Sequence, residues 1–264
     1  MEAAFFDLDK TVIAKASIAA FGRPLYRGGL ISRSTIVRAI ASQFVYMYLG
    51  ASEEKLQKVR ESVLELTRGW SQLEVSRIVR ETLDEIVEPI IYAEALELIE
   101  QHQSAGRRVY LVSASPEEIV LPLAEYLGVD DAIASRAVVD QEGRYTGEMA
   151  FYAYGTFKAI AMAEVAVRDH LDLEASYAYS DSFTDAPMLE AVGHPVAVNP
   201  DRMLAKLARK RDWEVRQFSR PVRLRNRVSV PSLPMAATLS GAALVAASAF
   251  VILRRYGQRI RTVV

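Results

Sequence analysis

The chain has 264 residues, no cysteine and a formal net charge of −1. This length suffices for a full α/β core with an inserted subdomain, and the lack of cysteine excludes a disulfide framework and any thiolate metal site. The charge is unevenly distributed, because residues 202–264 carry 14 basic and 2 acidic residues, a net charge of +12 that leaves −13 for residues 1–201. This asymmetry suggests that the C-terminal part meets an anionic surface.

The first predicted element is a strand at the N-terminus that ends in two acidic residues. Residues 3–6 are Ala-Ala-Phe-Phe, and Asp7, Asp9 and Thr11 follow at alternate positions. A continuous apolar run is typical of a parallel strand buried on both faces, and open α/β sheets bind ligands beyond the carboxyl ends of such strands. Asp7 and Asp9 would point to the same side of an extended chain, where two carboxylates need a cation such as Mg²⁺. An acidic turn after an edge strand is the alternative interpretation.

The segment between this strand and residue 90 is predicted to be helical, and it is too long for an ordinary connection between a strand and a helix. Its helix at 33–50 carries a large apolar surface. We expect this surface to pack on the core, and the alternative is contact with lipid or a lipid-like substrate. Two further helices are predicted at 52–68, before Gly69, and at 71–87, before Pro89.

From residue 93 onward, predicted helices and strands alternate, as they do in parallel α/β sheets. Gly106 and Gly128 each follow a predicted helix, the usual position for a glycine that ends one. A Gln-Glu-Gly turn at 141–143 within alternating residues predicts a β-hairpin. The predicted elements are helices at 93–105, 116–127 and 155–170, a hairpin at 132–149, strands at 108–112, 177–180 and 195–198, and helices that begin near Thr184 and after Asp201.

Several polar residues follow these strands or open the next helix. Ser113 comes directly after a strand and before a helix, whose free N–H groups favour an anion such as phosphate. The alternative is that Ser113 and Ser115 cap that helix; we retain this alternative for Ser115, whereas the position of Ser113 at the strand end favours contact with phosphate. Lys158 lies in the first turn of a later helix, and Asp181 and Asp185 follow the next strand along the chain.

Taken in order, these positions resemble the four motifs of the haloacid dehalogenase (HAD) superfamily. They are Asp-x-Asp-x-Thr after an apolar strand, a serine that ends a second strand, a downstream lysine, and an acidic cluster that ends a third strand. The resemblance covers roughly residues 1–215. It implies a Rossmann-like sheet, a helical cap inserted after the first strand, and Mg²⁺-dependent hydrolysis of phosphate monoesters.

The resemblance also implies a role for each residue. Asp7 would be the nucleophile that forms an aspartyl-phosphate, and Asp9 would protonate the leaving alkoxide and then activate the water. The other implied roles are Mg²⁺ binding by Asp7, Asp181 and the backbone carbonyl of Asp9, phosphate binding by Thr11, Ser113 and Lys158, and support of these groups by Thr184 and Asp185.

Two departures from the phosphoserine-specific members bear on the substrate. Those enzymes carry a glutamate shortly after the first motif that binds the substrate amine, whereas Ala16 stands at the matching position here, beside Lys15. Their fourth motif, Gly-Asp-Gly-x-Asn-Asp, corresponds to Ser-Asp-Ser-Phe-Thr-Asp at 180–185. The sequence is more similar to the bacterial subfamily IB hydrolases, which often carry Ser-Asp-Ser, and we therefore expect a substrate other than phosphoserine.

The C-terminal part contains 26 consecutive residues without a charge, at 228–253. As a helix this segment would reach about 39 Å, enough to cross a hydrocarbon core of about 30 Å. Because the segment is rich in alanine, a peripheral helix or a helix packed on a partner is the alternative. The N-terminus lacks the basic region of a signal peptide, so we expect the catalytic part at the cytoplasmic face of the cell membrane, held by a single-pass C-terminal anchor.

The sequence thus predicts an α/β protein with a Rossmann-like parallel sheet core, an inserted helical cap and a C-terminal hydrophobic, transmembrane helix. The predicted enzyme is a Mg²⁺-dependent phosphatase for a small phosphorylated alcohol or a lipid phosphate. A phosphotransferase with the same intermediate and a membrane-tethered adaptor without turnover are the alternatives, and no nucleic acid partner is expected. The predicted ranges are 1–13 and 90–218 for the core, 14–89 for the cap, 219–227 for a basic linker, and 228–264 for the anchor helix and basic tail.

Overall fold

The computed structural model describes residues 1–31 and 61–220, and the strands of this part form one sheet. The strands are β1 (Ala3–Asp7), β2 (Arg108–Pro116), β3 (Asp131–Val139), β4 (Tyr145–Phe151), β5 (Tyr177–Ser180), β6 (His194–Val198) and β7 (Glu214–Arg216). Their order is β4-β3-β2-β1-β5-β6-β7, and every neighbouring pair is parallel except β3 and β4. The predicted Rossmann-like parallel core is confirmed, with β1 in the middle of the sheet.

The helices cover both faces of this sheet. They are α1 (Ser17–Arg27), α2 (Gln72–Val87), α3 (Ala93–Ser104), α4 (Glu117–Leu127), α5 (Thr156–Asp169), α6 (Ala186–Glu190) and α7 (Arg202–Arg211), with short 3₁₀ helices at Glu88–Ile90 and Phe183–Asp185. Residues 61–67 are also helical. Apolar residues of α1–α4 pack on one face of the sheet and those of α5–α7 on the other.

β1 is buried along its whole length. Phe6 stacks on Tyr179 on one face, with ring centroids 4.3 Å apart, and Phe5 stacks on Tyr110 on the other, at 5.1 Å. Burying an aromatic side chain on each face contributes several kcal/mol in total, at about 25 cal/mol per Å² of apolar surface removed from water. The interpretation of the acidic pair as a turn after an edge strand is therefore wrong.

The signals for helix ends and turns predicted local structure well. The side chain of Ser71 accepts the N–H of Glu74 at the start of α2, and Gly128 ends α4 in the left-handed region with φ of 66°. Gly143 also has a positive φ, of 72°, in the turn between the antiparallel strands β3 and β4. Glycine adopts a positive φ at little steric cost, and a glycine after a helix or in a hairpin turn is therefore a usable signal in the sequence.

Two predictions around the sheet are wrong. β2 runs on to Pro116, so Ser113 lies within the strand rather than after it, and Ser115 does not cap α4. The register of β2 and β3 shifts between Ser113 and Pro116, which lets the strand continue past the apolar residues that predicted its end. The edge strand β7 was not predicted, because it has three residues, two of them charged, and gives no apolar pattern.

The chain leaves and re-enters the core at neighbouring points. The N–H of Ala14 donates to the carbonyl of Ile90 at 2.7 Å, and the N–H of Tyr92 donates to the carbonyl of Val12 at 3.0 Å. α2 packs on α4, and its buried residues join the cluster on that face of the sheet. The division into core and cap stays a prediction, because the apolar helix at 33–50 lies outside the described residues.

The predicted linker beyond residue 220 and the predicted anchor at 228–264 also lie outside the described residues. Among the helices in 1–31 and 61–220, none combines the length and the apolar character that crossing a bilayer requires.

Candidate active site

Three strands bring polar residues to the carboxyl edge of the sheet. Asp7 is the last residue of β1 and pairs with Val112 of β2, so Ser113 lies one residue further along the neighbouring strand. β5, on the other side of β1, ends at Ser180, and Asp181 follows it. Residues that are far apart in the sequence therefore meet at the edge where parallel sheets bind ligands.

Asp7 lies at the centre of this group, with a residue exposure of 6%. Its Oδ1 accepts a hydrogen bond from Nζ of Lys158 at 2.6 Å, and its Oδ2 accepts one from the hydroxyl of Thr11 at 3.3 Å. Burial raises the pKa of Asp7 to about 8, against the lowering effect of Lys158. The carboxyl is thus held firmly in an environment where its negative charge is costly without a further cation.

Lys158 is buried to 2% exposure in the first turn of α5. Its ammonium group donates to Asp7 and also to Oδ2 of Asp185, at 2.7 Å, and the hydroxyl of Ser180 donates to the same Asp185 oxygen at 2.7 Å. Burial by itself would lower the pKa of Lys158, but the two carboxylates raise it. The lysine therefore stays protonated, and Asp185 orients it towards Asp7.

Asp9 lies in a tight turn that follows β1. Lys10 has a φ of 63°, and the carbonyl of Leu8 accepts the N–H groups of the three residues from Thr11 onward. The turn directs the side chain of Asp9 to α1 and β2, where it accepts the N–H of Ser17 at 2.8 Å and the hydroxyl of Ser115 at 3.4 Å. Burial raises the pKa of Asp9, and these two hydrogen bonds oppose that effect.

The acidic cluster after β5 divides into two parts. Burial raises the pKa of Asp181 to about 6, Lys10 lowers it, and Asp185 raises it. Thr184 is exposed, and its hydroxyl lies 3.0 Å from that of Ser182. The described contacts thus connect Asp181 electrostatically with the cluster but place the side chain of Thr184 at the surface beside Ser182.

The donor set fits a hard divalent cation. Asp7, Asp9, Asp181 and Asp185 gather at this edge, and the nearby cations are Lys158 and Lys10. Burial raises the pKa values of Asp7, Asp9 and Asp181, and Mg²⁺ stabilises such carboxylates in the ionised state. Within 1–31 and 61–220 no three His, Cys, Asp or Glu side chains converge as a metal site. The predicted Mg²⁺ ligands do not include three such side chains, because they combine two carboxylates with one backbone carbonyl.

Three residues contact this site without having been predicted to belong to it: Ser17, Ser180, and Ser115, which was predicted only to cap a helix. Ser180 could have been found from its place at the end of β5, directly before Asp181. Ser115 has a weak signal, since it lies two residues after Ser113 and donates its N–H to the Ser113 hydroxyl at 3.1 Å. Ser17 had no signal, because its partner Ser115 is 98 residues away.

Two surface grooves lie away from this cluster. One runs between α1 and α2 and is lined by arginine and glutamate side chains, and the other lies beside Tyr177 and His194, at the amino-terminal edge of the sheet. Neither contains a residue of the predicted site, so the carboxylate cluster remains the candidate active site.

Comparison with known families decides the classification. The family of haloacid dehalogenase-like hydrolases matches residues 4–190, a range that contains every predicted site residue. The chain belongs to this family. In the hydrolase, the matched range begins in β1 and ends with α6, so it spans the strands whose ends carry Asp7, Ser113 and Asp181.

Curated relatives cover almost the whole hydrolase. An "inhibition of morphological differentiation protein" of Streptomyces azureus is 48% identical over 98% of this chain and 94% of its own length. A probable phosphatase of Mycobacterium tuberculosis is 47% identical over 96% of this chain and 90% of its own length. A phosphoserine phosphatase of the same species is 37% identical over 92% of this chain and 79% of its own length. The predicted superfamily, its branch similar to phosphoserine phosphatases and the phosphatase class of enzyme are confirmed.

Solved structures share the fold of the hydrolase. A protein of unknown function from Bordetella pertussis Tohama I superposes with a TM-score of 0.71 at 28% identity, over 81% of this chain and 97% of that one. A phospho-aspartyl intermediate analogue of phosphoserine phosphatase superposes with a TM-score of 0.56 at 21% identity, over 84% and 95%. At this lower identity the likeness concerns the fold alone.

Proposed function

We propose that this hydrolase is a Mg²⁺-dependent phosphomonoesterase that forms an aspartyl-phosphate on Asp7. The observation that carries the proposal is the arrangement of Asp7 itself, with Lys158 on one carboxyl oxygen and Thr11 on the other. A buried carboxylate with both oxygens oriented is prepared for in-line attack on phosphorus, since little reorganisation is needed at the moment of reaction.

Lys158 has a second task in this proposal. An ammonium group has three donors, of which Asp7 and Asp185 take two among the described residues. The third is available for a phosphoryl oxygen, together with the hydroxyl of Ser113. These donors would stabilise the negative charge that spreads over the transferring oxygens in the transition state.

The cation would be held by Asp7, Asp181 and the backbone carbonyl of Asp9. Bound there, Mg²⁺ supplies the positive charge that offsets the repulsion between a carboxylate nucleophile and a phosphate dianion. Asp9 would give its proton to the leaving alkoxide and later take one from the water that hydrolyses the intermediate. Its burial supports this role, because a raised pKa favours the protonated starting state.

A small phosphorylated alcohol is the proposed substrate class. One curated relative is a phosphoserine phosphatase, but Ala16 offers no carboxylate to the amine of phosphoserine. A lipid phosphate is the second candidate, which the uncharged segment at 228–253 favours, because an enzyme held at a membrane meets lipid substrates. A phosphotransferase with the same intermediate would differ in the acceptor, an alcohol in place of water.

Metal removal tests the proposal directly. The full chain is assayed for phosphate release on a panel of soluble and lipid monophosphates, with Mg²⁺ and after EDTA treatment. We expect EDTA to lower turnover by at least about 100-fold, because neutralisation of charge at phosphorus contributes several kcal/mol, and added Mg²⁺ to restore it. A retained rate after thorough chelation would contradict the metal requirement, and transfer to an added alcohol without phosphate release would favour the transferase.

We also propose that the C-terminal segment anchors the hydrolase at the cytoplasmic face of the cell membrane. The support is its length without charge, with arginines before and after it. The full chain is expected to stay with membranes through a wash at high salt and high pH, and a variant that lacks residues 228–264 is expected to be released.

A second truncation separates insertion from charge attraction. A variant that lacks only residues 254–264 keeps the uncharged segment and loses four arginines. We expect it to remain with membranes through the same wash, since electrostatic binding is screened by salt and apolar burial is not. Release of the full chain by salt alone would contradict the anchor.

A further inference from the structure

Two buried serines connect the side chain of Asp9 with the first helix and the second strand. The hydroxyl oxygens of Ser17 and Ser115 lie 2.6 Å apart, and the hydroxyl of Ser115 donates to Oδ2 of Asp9 at 3.4 Å. The backbone N–H of Ser17 donates to Oδ1 at 2.8 Å. Both serines are inaccessible to solvent, with exposures of 0% and 2%. Each oxygen of the carboxyl therefore has a partner that lies outside the turn that carries Asp9.

The start of α1 explains why Asp9 is held there. Ala16 precedes the helix and offers no side-chain acceptor, and the first turn of α1 contains no acidic residue. The first N–H groups of a helix need acceptors, and a negative charge is favourable beside them. Asp9 supplies the acceptor that the sequence of α1 lacks, which ties its position to the first helix of the predicted cap.

Ser115 also contacts the predicted phosphate site. Its backbone N–H donates to the hydroxyl of Ser113 at 3.1 Å. A single residue of β2 is therefore bonded both to the side chain proposed to transfer protons and to the side chain proposed to bind the phosphoryl group. Both residues belong to β2, which continues beyond Ser113.

We infer that Ser17 and Ser115 are positioning residues for Asp9, an inference that rests on the acid–base role proposed above. An ionised Asp9 can only accept, so Ser115 then donates to it and Ser17 donates to Ser115. A protonated Asp9 can instead donate to Ser115, because a hydroxyl group both donates and accepts. The serine pair thus holds the carboxyl in one place while its proton passes to the leaving alkoxide and is regained from water.

The test compares two leaving groups in the full chain with Mg²⁺. Nitrophenolate leaves without a proton, whereas the alkoxide of glycerol 3-phosphate needs one, so kcat/KM for these two esters separates general-acid catalysis from other effects. The ratio kcat/KM includes the departure of the leaving group and excludes the later hydrolysis of the aspartyl-phosphate. We expect Ser115→Ala and Ser17→Ala to lower kcat/KM for glycerol 3-phosphate about tenfold, the effect of one hydrogen bond, with little change for p-nitrophenyl phosphate.

Two control variants make the result decisive. Ser176→Ala removes another fully buried hydroxyl, which donates to the carbonyl of Asp172 and accepts the N–H of Ala3 at the opposite edge of the sheet. It is expected to leave the ratio between the two esters unchanged. Asp9→Asn removes the proposed acid itself. We expect it to lower kcat/KM for glycerol 3-phosphate alone, by roughly 100-fold or more.

The outcomes separate the inference from the function on which it rests. If Asp9→Asn lowers kcat/KM for both esters equally, or for neither, the proposed acid role of Asp9 fails. If Asp9→Asn discriminates between the esters but the two serine variants match Ser176→Ala, the acid role stands and the positioning role of the serines is overturned.

Discussion

Replacement of Asp7 by asparagine is expected to lower phosphate release by about four orders of magnitude or more, the size of effect seen when an enzyme loses its nucleophile. The amide cannot attack phosphorus, while Lys158 keeps Asp185 as its partner, so the fold is expected to persist. When the reaction with a substrate that carries a labelled phosphate is quenched in acid, the wild type should retain the label as a phosphoenzyme and Asp7→Asn should retain none. Thermal unfolding of both proteins checks that the loss is chemical.

Asp185→Asn is the matched control for this variant. Asp185 orients Lys158 through a hydrogen bond of 2.7 Å and has no proposed contact with phosphorus. We expect a smaller loss, on the order of 10- to 100-fold, with the phosphoenzyme still formed. A phosphoenzyme in Asp7→Asn, or activity within about tenfold of the wild type, would contradict the nucleophile assignment.

Replacement of Lys158 by methionine is expected to have the largest effect on stability. It leaves Asp7 and Asp185 buried without their shared cation, and removal of one partner from a buried ion pair costs about 3–5 kcal/mol. Denaturant unfolding at neutral pH with EDTA present measures this loss in the free energy of unfolding. Phosphatase activity should fall to background as well, because Asp7 loses the donor on Oδ1.

The same variant should respond to pH in a defined direction. The usual pKa of Asp7 is 3.8, burial raises it to about 8, and Lys158 lowers it, so removal of the lysine raises it further. Between about pH 4 and 8 the contribution of Asp7 to the free energy of unfolding falls alike in the wild type and in the variant, because both folded proteins hold a proton there that the unfolded chain has lost. Above about pH 8 only the variant continues to lose stability from this group, so its difference from the wild type should widen as the pH rises above that value.

Lys206→Met is the control for Lys158→Met, because it removes an exposed lysine of α7. We expect a change within about 0.5 kcal/mol and no dependence on pH. The double variant Lys158→Met with Asp7→Asn should recover part of the lost stability, since one unpaired carboxylate is removed. A Lys158→Met protein as stable as the wild type at pH 8 would show that the buried ion group does not support the fold.

The sequence and the structure gave different information about this hydrolase. The N-terminal strand, the hairpin turn and the helix ends were predicted because each depends on a few adjacent residues, as with Gly128 and Gly143 in the left-handed region. The order of the motif residues pointed to Asp7, Asp9, Ser113, Lys158 and Asp181 for the same reason, because each follows or opens a recognisable element.

What the sequence by itself determined was therefore local: the buried strand that ends at Asp7, the alternation of strands and helices, and the identity of the chemical groups. Only the tertiary structure decided which groups touch. Lys158 meets Asp7 across 151 residues, Asp9 reaches the start of α1, and β2 extends past Ser113 because its pairing with β3 shifts register. Such contacts form because the sheet brings together segments that are far apart in the sequence. Local propensity depends only on neighbouring residues and carries no information about these contacts.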